Sequence, residues 1–238
     1  MVGVIILYGI IGAMEQEVEP ILEKLVDKNY SKIYDINFCE GTINGTQCVV
    51  GQSGVGKVNA ARCTQMMIDR YKLSAIINIG SAGALNPELE IGDVVISTSC
   101  IYHDVDITVF GHEKGYITGI GDRFIKADQK LINQCKKAME QISADKYKIL
   151  MGPIATGDQF YNDPQKKEEL FEEFGAYCDD MEAAAIAHVC LLSEIPYVVI
   201  RSISDKPSCK SHITFYEFLD LASARCAEFL DQFTLKLN

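Results

Sequence analysis

Apolar positions come in short blocks separated by stretches with helical spacing. Residues 2–11 form a run of aliphatic and β-branched side chains, which predicts a central parallel strand buried on both faces. Val18, Ile21, Leu22 and Leu25 then recur at helical spacing. Glu15, Glu17 and Glu19 cannot share one face of that helix, so at least one is expected to point inward over the end of the first strand. Residues 33–50 suit an antiparallel pair, and Asn44-Gly45 marks a type I′ hairpin. Residues 53–57, Ser-Gly-Val-Gly-Lys, read as a tight strand-to-helix turn before a helix that runs to about Arg70. Further inner strands are expected at 75–79, 92–97, 148–156 and 197–203, and helices at 128–141, 164–174 and 215–237. Residues 179–190 are apolar on nearly every face after an acidic start. This predicts a buried helix with Asp179, Asp180 and Glu182 in its first turn, where the helix dipole would keep Glu182 ionised.

Strands alternating with helices, with one early hairpin, predict a three-layer α/β/α fold on a central mixed, largely parallel sheet. At 238 residues the chain fits a single domain, 1–238. The net charge of −11 leaves no basic surplus to neutralise phosphates, so neither nucleic acid nor an anionic membrane is expected as partner. Nine cysteines lie scattered without CxxC or Cys/His ligand spacing. They read as buried thiols of a reducing compartment, here the cytoplasm, and as no metal site. Residues 1–13 mimic a signal peptide in hydropathy but lack its basic start, and no other stretch nears membrane-spanning length.

Candidate chemistry collects at the C-terminal ends of the inner strands, where open α/β sheets bind ligands. Glu17, Ser81, Glu182 and Asp205 fall there, and Arg201 lies within the last strand. The turn at 53–57 lacks the first glycine and the Lys-Ser/Thr pair of a phosphate loop. Tyr102-His103-Asp104-Val105-Asp106 resembles a metal cluster, but one histidine and two aspartates suit structural hydrogen bonds better. The apolar residues 107–110 precede a glycine-punctuated loop, a candidate lid or subunit contact. Phe160 and Tyr161 follow a polar turn and serve either as rim packing or as a stacking platform for a planar base. No Ser or Cys is paired with a histidine base, and there is no metal cage or dinucleotide fingerprint, so no cofactor is expected. Carboxylate acid/base chemistry beside an apolar, aromatic cleft remains, and it fits glycosidic bond cleavage.

At these residues the chain resembles bacterial 5′-methylthioadenosine/S-adenosylhomocysteine nucleosidases of the purine-nucleoside phosphorylase superfamily. The blocks at 11–17 (IGAMEQE), 53–58 (SGVGKV), 78–83 (NIGSAG), 102–104 (YHD), 156–160 (TGDQF), 181–188 (MEAAAIAH) and 201–205 (RSISD) stand in family order over nearly the whole chain. The resemblance implies hydrolysis of the adenine–ribose bond, with free adenine and a thioribose as products, in methionine salvage. It implies Asp205 as general acid toward the purine N7 and Glu17 as the base orienting water. Glu182, aided by Arg201, would grip the ribose hydroxyls, and Ser81, Met181 and Ser204 would line the sugar site. Phe160 would stack on adenine while the Tyr161 backbone bonds its edge. Met14, Val55, Ile107 and Phe215 would wall the 5′-alkylthio group. Phe110 matches a residue lent to the neighbouring subunit, so the partners implied are a nucleoside, water and a second copy of the chain. Three departures stand out: Asp180 where the family usually carries Glu, an unusual loop at 112–122, and Tyr161 in place of an aliphatic residue. The rival readings are a phosphate-dependent phosphorylase, a futalosine-type hydrolase, and a nucleoside-binding protein without turnover.

Overall fold

A computed structural model of the chain describes residues 6–143, 145–207 and 211–237, with backbone alone for 211–214. Residues 2–5 of the expected first strand, and 208–210 with Cys209, lie outside the described residues. In chain order the elements are β1 (Leu7–Gly12), α1 (Glu15–Lys24), β2 (Val26–Ile33), β3 (Ile36–Ile43), β4 (Thr46–Gln52), α2 (Lys57–Arg70), β5 (Leu73–Ala84) and β6 (Val94–Tyr102). A 3-10 turn (Thr108–Phe110) follows, then β7 (Ile125–Lys126), α3 (Gln129–Met139), β8 (Ile149–Thr156), α4 (Pro164–Phe174), β9 (Cys178–Asp180), α5 (Ala183–Leu192), β10 (Tyr197–Asp205) and α6 (Ser211–Thr234).

The sheet is mixed. Its long inner pairings, β4–β1, β1–β5, β5–β10 and β6–β8, are parallel. Antiparallel pairings form the β2–β3–β4 edge, where Asn44 and Gly45 take positive φ of 51° and 77° as a type I′ turn requires. β10 also pairs antiparallel with β6, and β9 bridges β8 and β5. Strands β5, β10, β6, β8 and β9 therefore close into a ring.

Successive strand residues feed two different cores, as the two-residue period demands. Ile10, Ile77 and Val198 pack with Ile21, Leu131, Phe229 and Phe233 from α1, α3 and α6. Ile11, Ile76 and Val199 pack with Ala60, Met67, Ala184 and Ile186 from α2 and α5. Each fully buried aliphatic side chain contributes roughly 1.5–3 kcal/mol, so the helices on both faces pin the parallel strand ends in place.

Two expectations are corrected. β2 was not expected, because it pairs along one edge with most side chains exposed and so shows no alternation. The stretch at 179–190 is not one helix. Asp179 and Asp180 end β9, Glu182 is the N-cap with φ −132° and ψ −37°, and the helix begins at Ala183. Asp180, not Glu182, accepts from the Ala183 amide, at 3.1 Å.

Candidate active site

One pocket opens at the C-terminal ends of β1, β5, β9 and β10. Its walls carry Glu17, Ser81, Glu182, Ser204 and Asp205, with the apolar Met14, Val55, Phe160, Met181 and Phe215 around them. Ten of the fourteen residues singled out from sequence thus line one cavity. Among the described residues no group of three His, Cys, Asp or Glu is placed to hold a metal, and no helix is long and apolar enough to cross a membrane.

Glu17 is the inward-turning glutamate of the first helix and is buried. Its Oε2 accepts from the Ala13 and Met14 amides at 2.8 and 3.0 Å, which satisfies donors at the start of α1. Its Oε1 accepts from the Ser81 amide at 2.8 Å and the Ser81 hydroxyl at 2.9 Å. Four fixed neutral donors hold this carboxylate.

Glu182 stands in a different environment. Its Oε1 accepts from the Gly56 amide at 2.8 Å, in the glycine turn ahead of α2. Burial, then the nearby Asp180 charge, lift its carboxyl to about 8 against the pull of Arg201. Burial therefore favours the protonated form of Glu182, against the sequence expectation that the helix dipole keeps it ionised. The cause is desolvation, which outweighs the single amide donor and the cation.

Arg201 lies behind the pocket wall, fully buried. It donates to Asp180 Oδ2 through Nε at 2.8 Å and Nη2 at 2.6 Å, and to Asn78 Oδ1 at 2.6 Å. Asp180 also accepts from the Thr156 hydroxyl at 2.5 Å. The expected aid of Arg201 to Glu182 is thus a field from behind, not a direct bond; Arg201 Nη1 has no hydrogen-bond partner.

Asp205 is fully buried at the end of β10. Its Oδ1 lies 3.1 Å from the Ser204 hydroxyl, and its Oδ2 accepts from Lys167 Nζ at 2.7 Å. Lys167 was missed in the sequence, where 164–174 read only as a charged helix. The available signal was position: Lys167, Leu170 and Phe174 share one inward stripe of α4. Asp179, expected at a helix start, lines the pocket instead, and burial pushes its carboxyl up to about 7.

At the rim, the Phe160 and Phe215 rings meet edge to face, 5.8 Å apart. Tyr161 turns away: its hydroxyl bonds Gln159 and its ring lies 5.4 Å from that of His103. Ile107 lines a separate recess with Val58, Tyr102 and Tyr116. Phe110 is 77% exposed and Val109 is 86% exposed, so the 3-10 turn displays apolar side chains outward. Asp104 is structural as expected, bonded to Lys57 Nζ at 2.5 Å and to the Asp158 amide at 3.0 Å. The buried His103 departs from that expectation, since neither ring nitrogen has a partner. The eight described cysteines are free and buried, and burial lifts Cys48, Cys63 and Cys226 to about 12, far from nucleophilic thiolates.

Comparison with known proteins adds family relationships to this geometry. Residues 7–234 match the family model of the phosphorylase superfamily. A Bacillus subtilis protein named 5′-methylthioadenosine/S-adenosylhomocysteine nucleosidase is 42% identical over 221 residues, covering 92% of this chain and 94% of its own. A crystal structure of the nucleosidase of that name from Colwellia psychrerythraea, in complex with adenine, superposes with a TM-score of 0.93 at 37% identity, over 98% of this chain and 96% of that one. A futalosine hydrolase of Helicobacter pylori superposes with a TM-score of 0.90 at 32% identity, over 96% and 97% of the two chains.

Proposed function

The chain belongs to the phosphorylase superfamily and, within it, to the 5′-methylthioadenosine/S-adenosylhomocysteine nucleosidases, and from that premise we propose that it is a single-domain cytoplasmic hydrolase that cleaves the adenine N-glycosidic bond of those two nucleosides with water. The observation that carries the reading is the set of three buried carboxylates, Glu17, Glu182 and Asp205, on one apolar-rimmed pocket at the sheet's C-terminal edge.

Each carboxylate has a task suited to its surroundings. Asp205 gives its proton to N7 of the purine, so the base leaves neutral and not as an anion. Glu17, held by four donors, orients water and takes its proton as the oxygen bonds C1′. Positioned acids and bases are worth roughly 10²–10⁴-fold each. Glu182 meets the ribose hydroxyls. Placing the nucleoside beside it favours the ionised form of Glu182, whose proton passes to solvent before the bond breaks, and the carboxylate then stabilises the positive charge that develops at C1′. Ser81, Met181 and Ser204 bound the sugar, and Arg201 holds Asp180 and so the Met181-Glu182 turn. Phe160 stacks on adenine, whose edge the Tyr161 backbone bonds. Met14, Val55 and Phe215 enclose the 5′-thioether in a dry pocket. The enzyme acts as a homodimer with Phe110 reaching the neighbouring subunit's site; the exposed Val109 and Phe110 support this.

The test is release of adenine from methylthioadenosine in phosphate-free buffer, followed against added phosphate. Phosphate-independent release supports hydrolysis, and strict phosphate dependence contradicts it. The likeness to a futalosine hydrolase favours one second reading. A steady-state panel of methylthioadenosine, S-adenosylhomocysteine, 5′-deoxyadenosine and futalosine separates the two.

A further inference from the structure

The base end of the pocket holds a charge that the mechanism above does not use. Lys167 is 1% exposed. Its ammonium donates to Asp205 Oδ2 at 2.7 Å and stands 3.7 Å from Asp179 Oδ1. Strand register builds this cluster. Gly83 of β5 pairs with Asp205 of β10 on one side and with Asp179 of β9 on the other, so closing the ring brings both carboxylates to flank one glycine. A Cβ at position 83 would lie 2.4 Å from Lys167 Nζ and 2.7 Å from Asp179 Oδ1. The ammonium occupies the space that any larger residue there would fill.

Packing alone does not explain this arrangement. Leu or Met would fill the inward stripe of α4 with Leu170 and Phe174, without the desolvation that a buried ammonium costs. Asp179 makes no hydrogen bond through its Oδ1, and the Lys167 ammonium 3.7 Å away is the cation it faces. Both groups line the substrate pocket beside Asp205.

We propose that Lys167 is a positioning residue for the proton donor Asp205, with Asp179 as the counter-charge that keeps the ammonium buried. The proposal rests on Asp205 being the general acid. One ammonium faces two carboxyl groups, so the cluster is neutral when a single proton sits on the carboxyl pair. In the reaction the Asp205 O–H bond breaks as an N7–H bond forms, and the C1′–N9 electron pair passes to the purine. The water oxygen bonds C1′ and its proton goes to Glu17. The carboxylate left on Asp205 is then stabilised by the Lys167 ammonium, both groups being buried. Solvent exchange returns the proton from Glu17 to the acid after product release.

The charge balance within the cluster agrees. Burial raises the Asp179 carboxyl, Lys167 opposes this, and Asp205 and Asp180 add to it. Burial works against the Lys167 ammonium, but Asp179 and Asp205 outweigh it and hold the group above its ordinary value. The other titratable groups coupled to the cluster are Asp180 and Cys178 on β9 and Tyr161 on the loop after β8.

The test compares Lys167→Met, Lys167→Arg and the double variant Lys167→Met/Asp179→Val with the wild type, by pH profiles of kcat and KM for methylthioadenosine and by thermal melting. Removing a cation beside a carboxyl group raises its pKa by on the order of 1–3 units. Lys167→Met should therefore move the alkaline limb of kcat upward by at least about one unit and weaken the acid. It should lower neutral-pH kcat by roughly 10–100-fold, less than the roughly 10²–10⁴-fold that loss of the positioned acid itself would cost, with KM little changed. Lys167→Arg keeps the cation and should keep the limb. The double variant leaves no unpaired buried charge, so it should regain melting temperature yet retain the shifted limb. A wild-type limb and kcat in the double variant would make Lys167 a packing residue and overturn the proposal. Asp205→Asn run in parallel separates the layers: normal turnover there removes the acid assignment itself, whatever Lys167 does.

Discussion

Glu17 and Asp205 line the same pocket and are both buried, yet they are held by opposite means. Glu17 takes four hydrogen bonds from two backbone amides at the start of α1 and from the amide and hydroxyl of Ser81. These donors are neutral and fixed by the fold. Asp205 is held by the Lys167 ammonium and the Ser204 hydroxyl, both of them side chains, and the ammonium in turn stands 3.7 Å from Asp179. In the proposed reading Glu17 faces the ribose, and its side of the pocket, the ribose wall, is held by neutral donors. The base wall is ionic, and its proton count can change. A proton acceptor needs a fixed position, whereas a donor to a leaving group needs a proton it can release, and the two walls divide along that line.

Breaking the ribose wall should have the largest effect. In Glu17→Gln an amide can no longer take a proton from water, and its NH2 group must face amide donors. Turnover should fall roughly 10²–10⁴-fold, measured as adenine release, and stability by about 1–3 kcal/mol. A near-normal rate would show that the four donors serve structure alone. Next comes Arg201→Met, which leaves Asp180 buried without its bidentate cation. Breaking a buried pair costs about 3–5 kcal/mol, and urea unfolding checks it. The base wall should respond differently to Phe160→Ala. Loss of stacking is worth about 1–3 kcal/mol, so KM should rise with little change in melting temperature.

Stability should also depend on pH. Folding raises the carboxyls of Glu182 and Asp179, to about 8 and about 7, so the folded state holds protons that the unfolded state releases. Their contribution is complete below the ordinary carboxylate range and is lost as pH rises through 7 to 8. The melting temperature should fall by on the order of 10 °C from pH 5.5 to 8.5. Glu182→Gln should flatten part of that slope, and an unchanged slope would show that Glu182 takes up no proton on folding.

The sequence made these walls legible to different degrees. The ribose wall was accessible because its pieces sit at strand ends marked by apolar runs and glycine turns: Glu17 after β1, Ser81 within β5, Glu182 after β9. The hairpin at Asn44-Gly45 and the helix at 164–174 were equally plain, since each has a local cause. The base wall was half hidden. Asp205 follows an apolar strand and was found, but Lys167 and Asp179 are set beside it by β9 bridging β5 and β8, a long-range closure with no local signature. The alanine-rich run of α5 made 179–182 look helical, because propensity extends smoothly past a boundary that sheet pairing fixes. β2 was missed because an exposed edge strand carries no buried face to impose alternation.

Asp205→Asn tests the central claim most directly. An asparagine keeps the shape beside Lys167 and Ser204 but has no acidic proton for N7. Methylthioadenosine binding, followed by isothermal calorimetry, should survive within about tenfold, while adenine release should fall by roughly 10²–10⁴-fold. Turnover near the wild-type rate would contradict the account of this pocket as a carboxylic-acid-driven nucleosidase site.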